Sequence, residues 1–214
     1  TYEDYCYAGA DYVRVGIGSG NGCLTSTQTA IHVPMGSLIN EIKDVRQHLI
    51  DAHIEYITIT KVVADGGIRG YSDVIKALAL GADYVMIGSV FAKMLESAAP
   101  MYKIFADGKK YTVVLPNTDD KEIESLISQG KLYKEYYGMS TKKAQREMGK
   151  NDLHTSEGTV KVLSVDYMMK GWIDNFSDYL KSAMSYCNCK NLKDFIGNQI
   201  LVPITNNGYN SINK

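Results

Sequence analysis

The chain lacks the marks of a disulfide-stapled, membrane-spanning or polyanion-binding protein. Its cysteines are Cys6, Cys23, Cys187 and Cys189. They form no CxxC pair, and Cys187-x-Cys189 has no second pair to complete a zinc site, so no metal centre is expected there. No apolar run approaches the roughly 18 residues needed to span a bilayer. A formal net charge of -1 gives no electrostatic reason to bind nucleic acid or an anionic membrane. The start, Thr1-Tyr2-Glu3-Asp4, lacks the basic and then apolar pattern of a secretory signal. Reduced thiols and a cytoplasmic location are therefore expected. A chain that opens on threonine and runs almost at once into a strand reads as a fragment or a processed product.

What is present fits one α/β domain over residues 1–214, with 45% hydrophobic and 22% charged residues. Three apolar runs read as buried parallel strands, at 11–16, 56–64 and 83–88. Between them, Leu38, Ile39, Ile42, Val45 and Leu49 fall on one face of a helix over 37–50. A second helix is predicted over 72–80, with Ser72 as N-cap, Asp73 in the first turn, Val74, Ile75 and Leu78 inward, and Gly81 as its stop. This is the βαβ rhythm. Beyond Phe91 the pattern changes. A short helix is expected at 120–129, a long irregular segment with one short helix at 134–160, and an amphipathic helix at 174–186. A last strand is expected at 199–204, followed by a mobile tail at 206–214. Three parallel strands cannot close a (β/α)₈ barrel, which needs eight strands and about 250 residues. The expectation is thus either an open sheet or the last part of a barrel.

Gly16-Ile-Gly-Ser-Gly-Asn-Gly-Cys23 follows the first strand directly. Its glycines let backbone N–H groups converge on an anion, although Asn21 occupies the place of the third glycine of a dinucleotide fingerprint. A cysteine at the tip of such a loop is well placed as a nucleophile. Taken alone, Cys23 reads more readily as a small apolar residue packed in a turn.

The wider context narrows this. Ala10-Asp-Tyr-Val-Arg-Val-Gly-Ile-Gly-Ser-Gly-Asn-Gly-Cys-Leu-Thr25 closely resembles the catalytic loop of the IMP dehydrogenase/GMP reductase family, of the form VGIG[PS]GSxCxT. Ala64-Asp-Gly-Gly-Ile-Arg69, the helix from Asp73, and Gly81-Ala-Asp-Tyr-Val-Met-Ile-Gly-Ser89 match the family's next two strand–helix units. Leu132-Tyr-Lys-Glu-Tyr-Tyr-Gly-Met-Ser140 resembles its segment over the purine, and Ser182-Ala-Met-Ser-Tyr-Cys187 its C-terminal helix. The resemblance covers nearly the whole chain. It implies the last three or so strand–helix units of a TIM barrel plus a C-terminal extension, with 101–131 as an insertion and 134–160 as the active-site loop region.

By that resemblance Cys23 attacks C2 of a purine mononucleotide to give a thioimidate. Ser19, Gly20 and Asn21 border the phosphate, Asn21 standing where the family usually has serine. Asp65 accepts hydrogen bonds from the ribose hydroxyls. Gly66, Gly67, Gly88 and Ser89 offer backbone donors, and Gly138, Met139 and Ser140 lie over the base. Thr25 and Glu157, the latter in Thr155-Ser-Glu-Gly158, match the hydroxyl–carboxylate pair that helps ammonia leave in GMP reductases. Ser182 and Tyr186 are implied cofactor contacts, and a monovalent cation such as K+ is implied near Gly18, Gly20 and Cys23. Read locally, Asp65 is a turn former, Gly88-Ser89 a strand end, and Glu157 a solvated loop charge; His154, where a reductase arginine would stand, reads as an ordinary polar residue. IMP dehydrogenases carry an Arg-Tyr pair in a mobile flap. Residues 138–157 contain no such pair, only Arg146-Glu147. The expectation is reductive deamination of GMP to IMP with NADPH, in a homotetramer. The alternatives are an IMP dehydrogenase using NAD, and a non-catalytic fragment or interaction module.

Overall fold

The computed structural model describes residues 1–20, 23–53, 57–104, 109–112, 120–130, 132–156 and 158–212. The first half is a βαβαβ unit. A short helix α1 (Tyr2–Tyr7) leads into β1 (Tyr12–Val15), a one-turn helix α2 (Thr25–Thr29), the long α3 (Met35–Asp51), β2 (Lys61–Asp65), α4 (Tyr71–Leu80) and β3 (Tyr84–Met86). The sheet is parallel in the order β1-β2-β3, with Tyr12 opposite Lys61 and Val63 opposite Tyr84. It is open, and the barrel expected from the resemblance is not displayed by these strands. The second strand is shorter than expected: it begins at Lys61, and residues 57–60 are irregular although Thr60 is fully buried.

Alternation along β2 puts Val62 and Ala64 against the helices. There they meet Ile39, Ile42 and Leu49 of α3 and Tyr2 and Cys6 of α1. Full burial of a side chain such as Ile39 or Leu49 contributes about 1.5–3 kcal/mol. Helix α4 begins at Tyr71 with Gly70 at its N-cap, so Ser72 is not the cap. Asp73 instead accepts the backbone N–H of Arg69, 2.9 Å away. Gly81, at φ 126°, ends the helix as expected. At the N-terminal ends of the strands, Arg46 binds Asp83 at 2.6 Å and also donates to the Tyr2 hydroxyl and to the carbonyls of Thr60 and Gly81.

The second half departs most from the sequence expectation. After α5 (Ser89–Ala92), strands β4 (Met101–Ile104) and β5 (Lys110–Thr112), helix α6 (Asp120–Ser128), β6 (Leu132–Tyr137), α7 (Lys142–Glu147) and β7 (Val160–Ser164) follow. The four strands form an antiparallel sheet in the order β5-β4-β6-β7. The 134–160 segment is therefore not irregular throughout, since its two ends pair as strands. Lys134 on β6 is 1% exposed and donates to the carbonyls of Met94, Leu95 and Ser97 at 3.1, 2.7 and 2.5 Å. This ties the antiparallel sheet to the turn after α5. Helix α8 (Met169–Tyr186) starts earlier than its amphipathic stretch suggested, because Trp172 is its buried anchor, stacked on Phe176 and edge-on to Phe91. The short α9 (Leu192–Phe195) and α10 (Asn206–Ile212) close the chain. Residues 199–204 are not a strand, and Ile200, Val202 and Ile204 are exposed there. Residues 206–212, expected as a mobile tail, are helical.

Candidate active site

The loops leaving the C-terminal ends of β1 and β2 are packed backbone to backbone, which only glycine permits. Gly16 sits at φ 121°, where an added Cβ would collide with the Asp65 carbonyl and lie 2.6 Å from Met35 Cε. Gly66, at φ 110°, faces Ser19: a Cβ there would lie 2.9 Å from the Ser19 carbonyl carbon and 3.0 Å from Gly20 N. The Ser19 hydroxyl completes the lock by donating to the Asp65 carbonyl at 3.1 Å. Ser26 donates to the Gly18 carbonyl, also at 3.1 Å, which holds the far limb of the loop.

This frame fixes Cys23. Its N–H donates to the Gly20 carbonyl at 3.0 Å, and a Cβ on Gly20 would stand 3.6 Å from that of Cys23. The half-buried thiol lies 3.1 Å from Thr25 Oγ1, and the Thr25 N–H points at the sulfur from 3.5 Å. Two of the expected catalytic residues are thus in contact. Glu157, the third, and Asn21 lie outside the described residues. Their neighbours still carry information: Cys23 pairs with Gly158 in an isolated antiparallel bridge, and the Ser156 hydroxyl donates to the Gly158 carbonyl at 2.6 Å. Sequence positions more than 130 residues apart therefore meet at the thiol loop.

Beside the loop, at the C-terminal ends of all three parallel strands, is a cavity of about 260 Å³. Ser19, Gly20, Asp65, Gly66, Gly67, Gly88 and Ser89 line it, as the sequence led one to expect. Asp65 keeps its carboxylate 3.3 Å from Arg14 Nε. Four further lining residues were not foreseen: Ile68, Arg69, Met86 and Tyr136. Tyr136 comes from β6 and approaches Gly88 so closely that a Cβ there would lie 2.8 Å from the phenol oxygen. Burial, and next the charge of Asp65, push the Tyr136 phenol above its ordinary pKa, so it stays a hydrogen-bond donor at neutral pH. It follows Leu132 and Lys134 in period-two alternation along β6, a pattern the sequence conceals because one of the two buried residues is a lysine.

Other expected residues lie elsewhere. Gly138, Met139 and Ser140 are exposed in a turn, where the Gly138 carbonyl accepts both the N–H and the hydroxyl of Thr141; Met139 is 69% exposed. Ser182 and Tyr186 line a separate groove of about 480 Å³ with Tyr71, Ile75 and Tyr179, and this groove shares no lining residue with the strand-end cavity. His154 is held through its backbone by the buried Gln145. Among the described residues, no helix is long and apolar enough to cross a membrane.

Comparison with known proteins bears directly on this site. The model of the IMP dehydrogenase / GMP reductase domain matches residues 1–114 and 112–213. The chain belongs to the IMP dehydrogenase/GMP reductase family. It is 30% identical to an inosine-5'-monophosphate dehydrogenase of Chlorobaculum parvum, over 96% of this chain and 37% of that protein. It is likewise 30% identical to a GMP reductase of Onchocerca volvulus, over 95% of this chain and 47% of the relative, and 28% identical to one of Caenorhabditis elegans, over 95% and 48%. The chain thus spans less than half the length of these relatives. Both enzyme names occur at the same level of identity, so family membership fixes the class of protein and leaves the direction of the chemistry open.

Proposed function

We propose that this chain is the thiol-bearing, nucleotide-binding part of a purine-mononucleotide oxidoreductase that converts GMP to IMP. In this reading its three strand–helix units are the last of a (β/α)₈ barrel, and the whole protein is a homotetramer. The observation that carries the reading is the Cys23–Thr25 contact at the end of the same loop whose Ser19 and Gly20 line the cavity at the three strand ends.

The residues divide the work as follows. Backbone amides of the Gly66-Gly67 and Gly88-Ser89 corners, with the Tyr136 hydroxyl, grip the 5'-phosphate, and Ser19 and Asn21 border it. Asp65 takes the ribose hydroxyls. The Cys23 thiolate adds to C2 of the purine, and the 2-amino group, protonated through Thr25 and Glu157, departs as ammonia; this leaves a C2–S thioimidate. NADPH, when bound, supplies the hydride that C2 gains as the C2–S bond breaks and the thiolate is released. Ser182 and Tyr186, in a groove walled by Tyr71 and Tyr179, fit the flat ring at the far end of such a cofactor. Loop carbonyls of Gly18 and Gly20 near Cys23 are the place for a K+ ion.

The second reading is IMP dehydrogenase: Cys23 adds to C2 of IMP, the C2 hydride passes to NAD, and water then displaces the thiolate from C2 to give XMP. The dehydrogenases among the relatives support it. Against it, the stretch 138–157 offers a single arginine, Arg146, held on α7, with the Glu147 carboxylate bonded to the Tyr137 hydroxyl at 2.5 Å. The test is direct. The full-length gene product with GMP and NADPH should form IMP as absorbance at the reduced-nicotinamide band falls. Turnover of IMP with NAD, and none of GMP, would reverse the assignment.

A further inference from the structure

Among its described lining residues the strand-end cavity has one charged residue of each sign. Asp65 is the acid, and Arg14 already stands beside it. Arg69 is the only cation among the described residues that line the cavity. Its position is fixed from both sides: Ile68 before it is buried, and its own N–H is held by Asp73 Oδ2 at 2.9 Å. Asp73 spends its other oxygen on Lys76, 3.2 Å away. The Arg69 guanidinium is left exposed, with no ion pair or side-chain hydrogen bond to any described residue. It also borders a second cavity, of about 480 Å³, that shares the Ser19 and Gly66-Gly67 wall and is edged by His32 and Lys76.

A phosphate monoester carries about 1.5 to 2 negative charges at neutral pH. Glycine-loop amides supply dipoles but no net charge, and Asp65 adds repulsion to the same cavity. An arginine with a fixed backbone and an unengaged fork of N–H donors answers that need, since guanidinium–phosphate pairs are charge-assisted and often bidentate. We infer that Arg69 is the counter-charge for the 5'-phosphate of the bound mononucleotide, reaching it from the wall between the two cavities. The inference rests on the nucleotide reading of the strand-end cavity.

The test is GMP binding by calorimetry to the full-length protein, with potassium held constant and choline chloride varied. Arg69→Gln should bind GMP ~10-fold more weakly than wild type. Its affinity should also fall less steeply with added salt, because one charged contact is gone. Arg69→Lys should recover part of the loss. The thermal midpoint of the ligand-free Arg69→Gln protein should match wild type, since the side chain is exposed and makes no ion pair or side-chain hydrogen bond to any described residue. Arg69→Gln affinity within twofold of wild type overturns the inference and leaves the nucleotide reading standing. A loss that keeps the full wild-type salt dependence also overturns it. Wild-type protein that does not bind GMP at all removes the nucleotide reading, and the Arg69 assignment with it.

Discussion

Replacing Gly66 by alanine probes the join on which the site depends. At φ 110° the new side chain occupies backbone space that L residues avoid, at a cost of about 1–2 kcal/mol. Its Cβ would also press within 2.9 Å of the Ser19 carbonyl carbon and 3.0 Å of Gly20 N, and it would drive off the Ser19 hydroxyl. Breaking the Ser19–Asp65 hydrogen bond adds about 1 kcal/mol. The total is ~3 kcal/mol, which lowers the thermal midpoint. Gly130→Ala is the control. That glycine is also left-handed, at φ 60°, but nothing lies within 4 Å of its added Cβ. It should cost only the backbone term, ~1 kcal/mol. The assays are scanning calorimetry and GMP titration on both variants of the full-length protein. Gly66→Ala should be the less stable and should lose GMP affinity; Gly130→Ala should keep it. Equal midpoints for the two variants would show that the Gly66 and Ser19–Gly20 backbones do not touch.

Elsewhere the structure makes three further predictions. Arg46→Met strands Asp83 and removes donors to Tyr2, Thr60 and Gly81, so urea denaturation should show a loss of about 2–3 kcal/mol; a change under 0.5 kcal/mol would contradict the network. Lys134→Met removes the ammonium from three carbonyls, of which, among the described residues, only that of Met94 keeps another donor, the Ser97 N–H, and should cost ~3 kcal/mol by the same measurement, whereas a neutral result would mean the sheet is not pinned there. Burial, followed by the charge of Asp166, raises the Tyr167 phenol to about 12. A raised folded-state pKa stabilises fully below the unfolded value near 10 and loses that contribution as pH climbs toward 12. Wild type should therefore lose stability faster than Tyr167→Phe between pH 9.5 and 11, and parallel curves would refute it.

What the sequence revealed, and what it did not, follows from how local each signal is. The βαβαβ order was legible because apolar runs and helical spacing repeat within a dozen residues, and Gly81 marked a helix end through its own backbone. The glycine loop and the Asp65-Gly66-Gly67 corner were legible for the same reason. The antiparallel sheet was not. Leu132–Tyr137 contains a lysine and a glutamate, and the burial of Lys134 depends on carbonyls about 40 residues earlier in the chain. Residues 199–204 erred the other way: a β-branched apolar run suggested a strand, yet no partner strand pairs with it among the described residues. Arg69 and Tyr136 went unnoticed because their roles come from which cavity they border, a property of the assembled loops rather than of any motif.

The most direct test of a nucleotide seated against Cys23 is the rate at which that thiol is alkylated in the native full-length protein, read by peptide mass spectrometry with the exposed Cys187 as internal standard. Saturating GMP should slow labelling of Cys23 at least ~10-fold while Cys187 reacts unchanged. Equal slowing of both, or none at Cys23, would contradict the account.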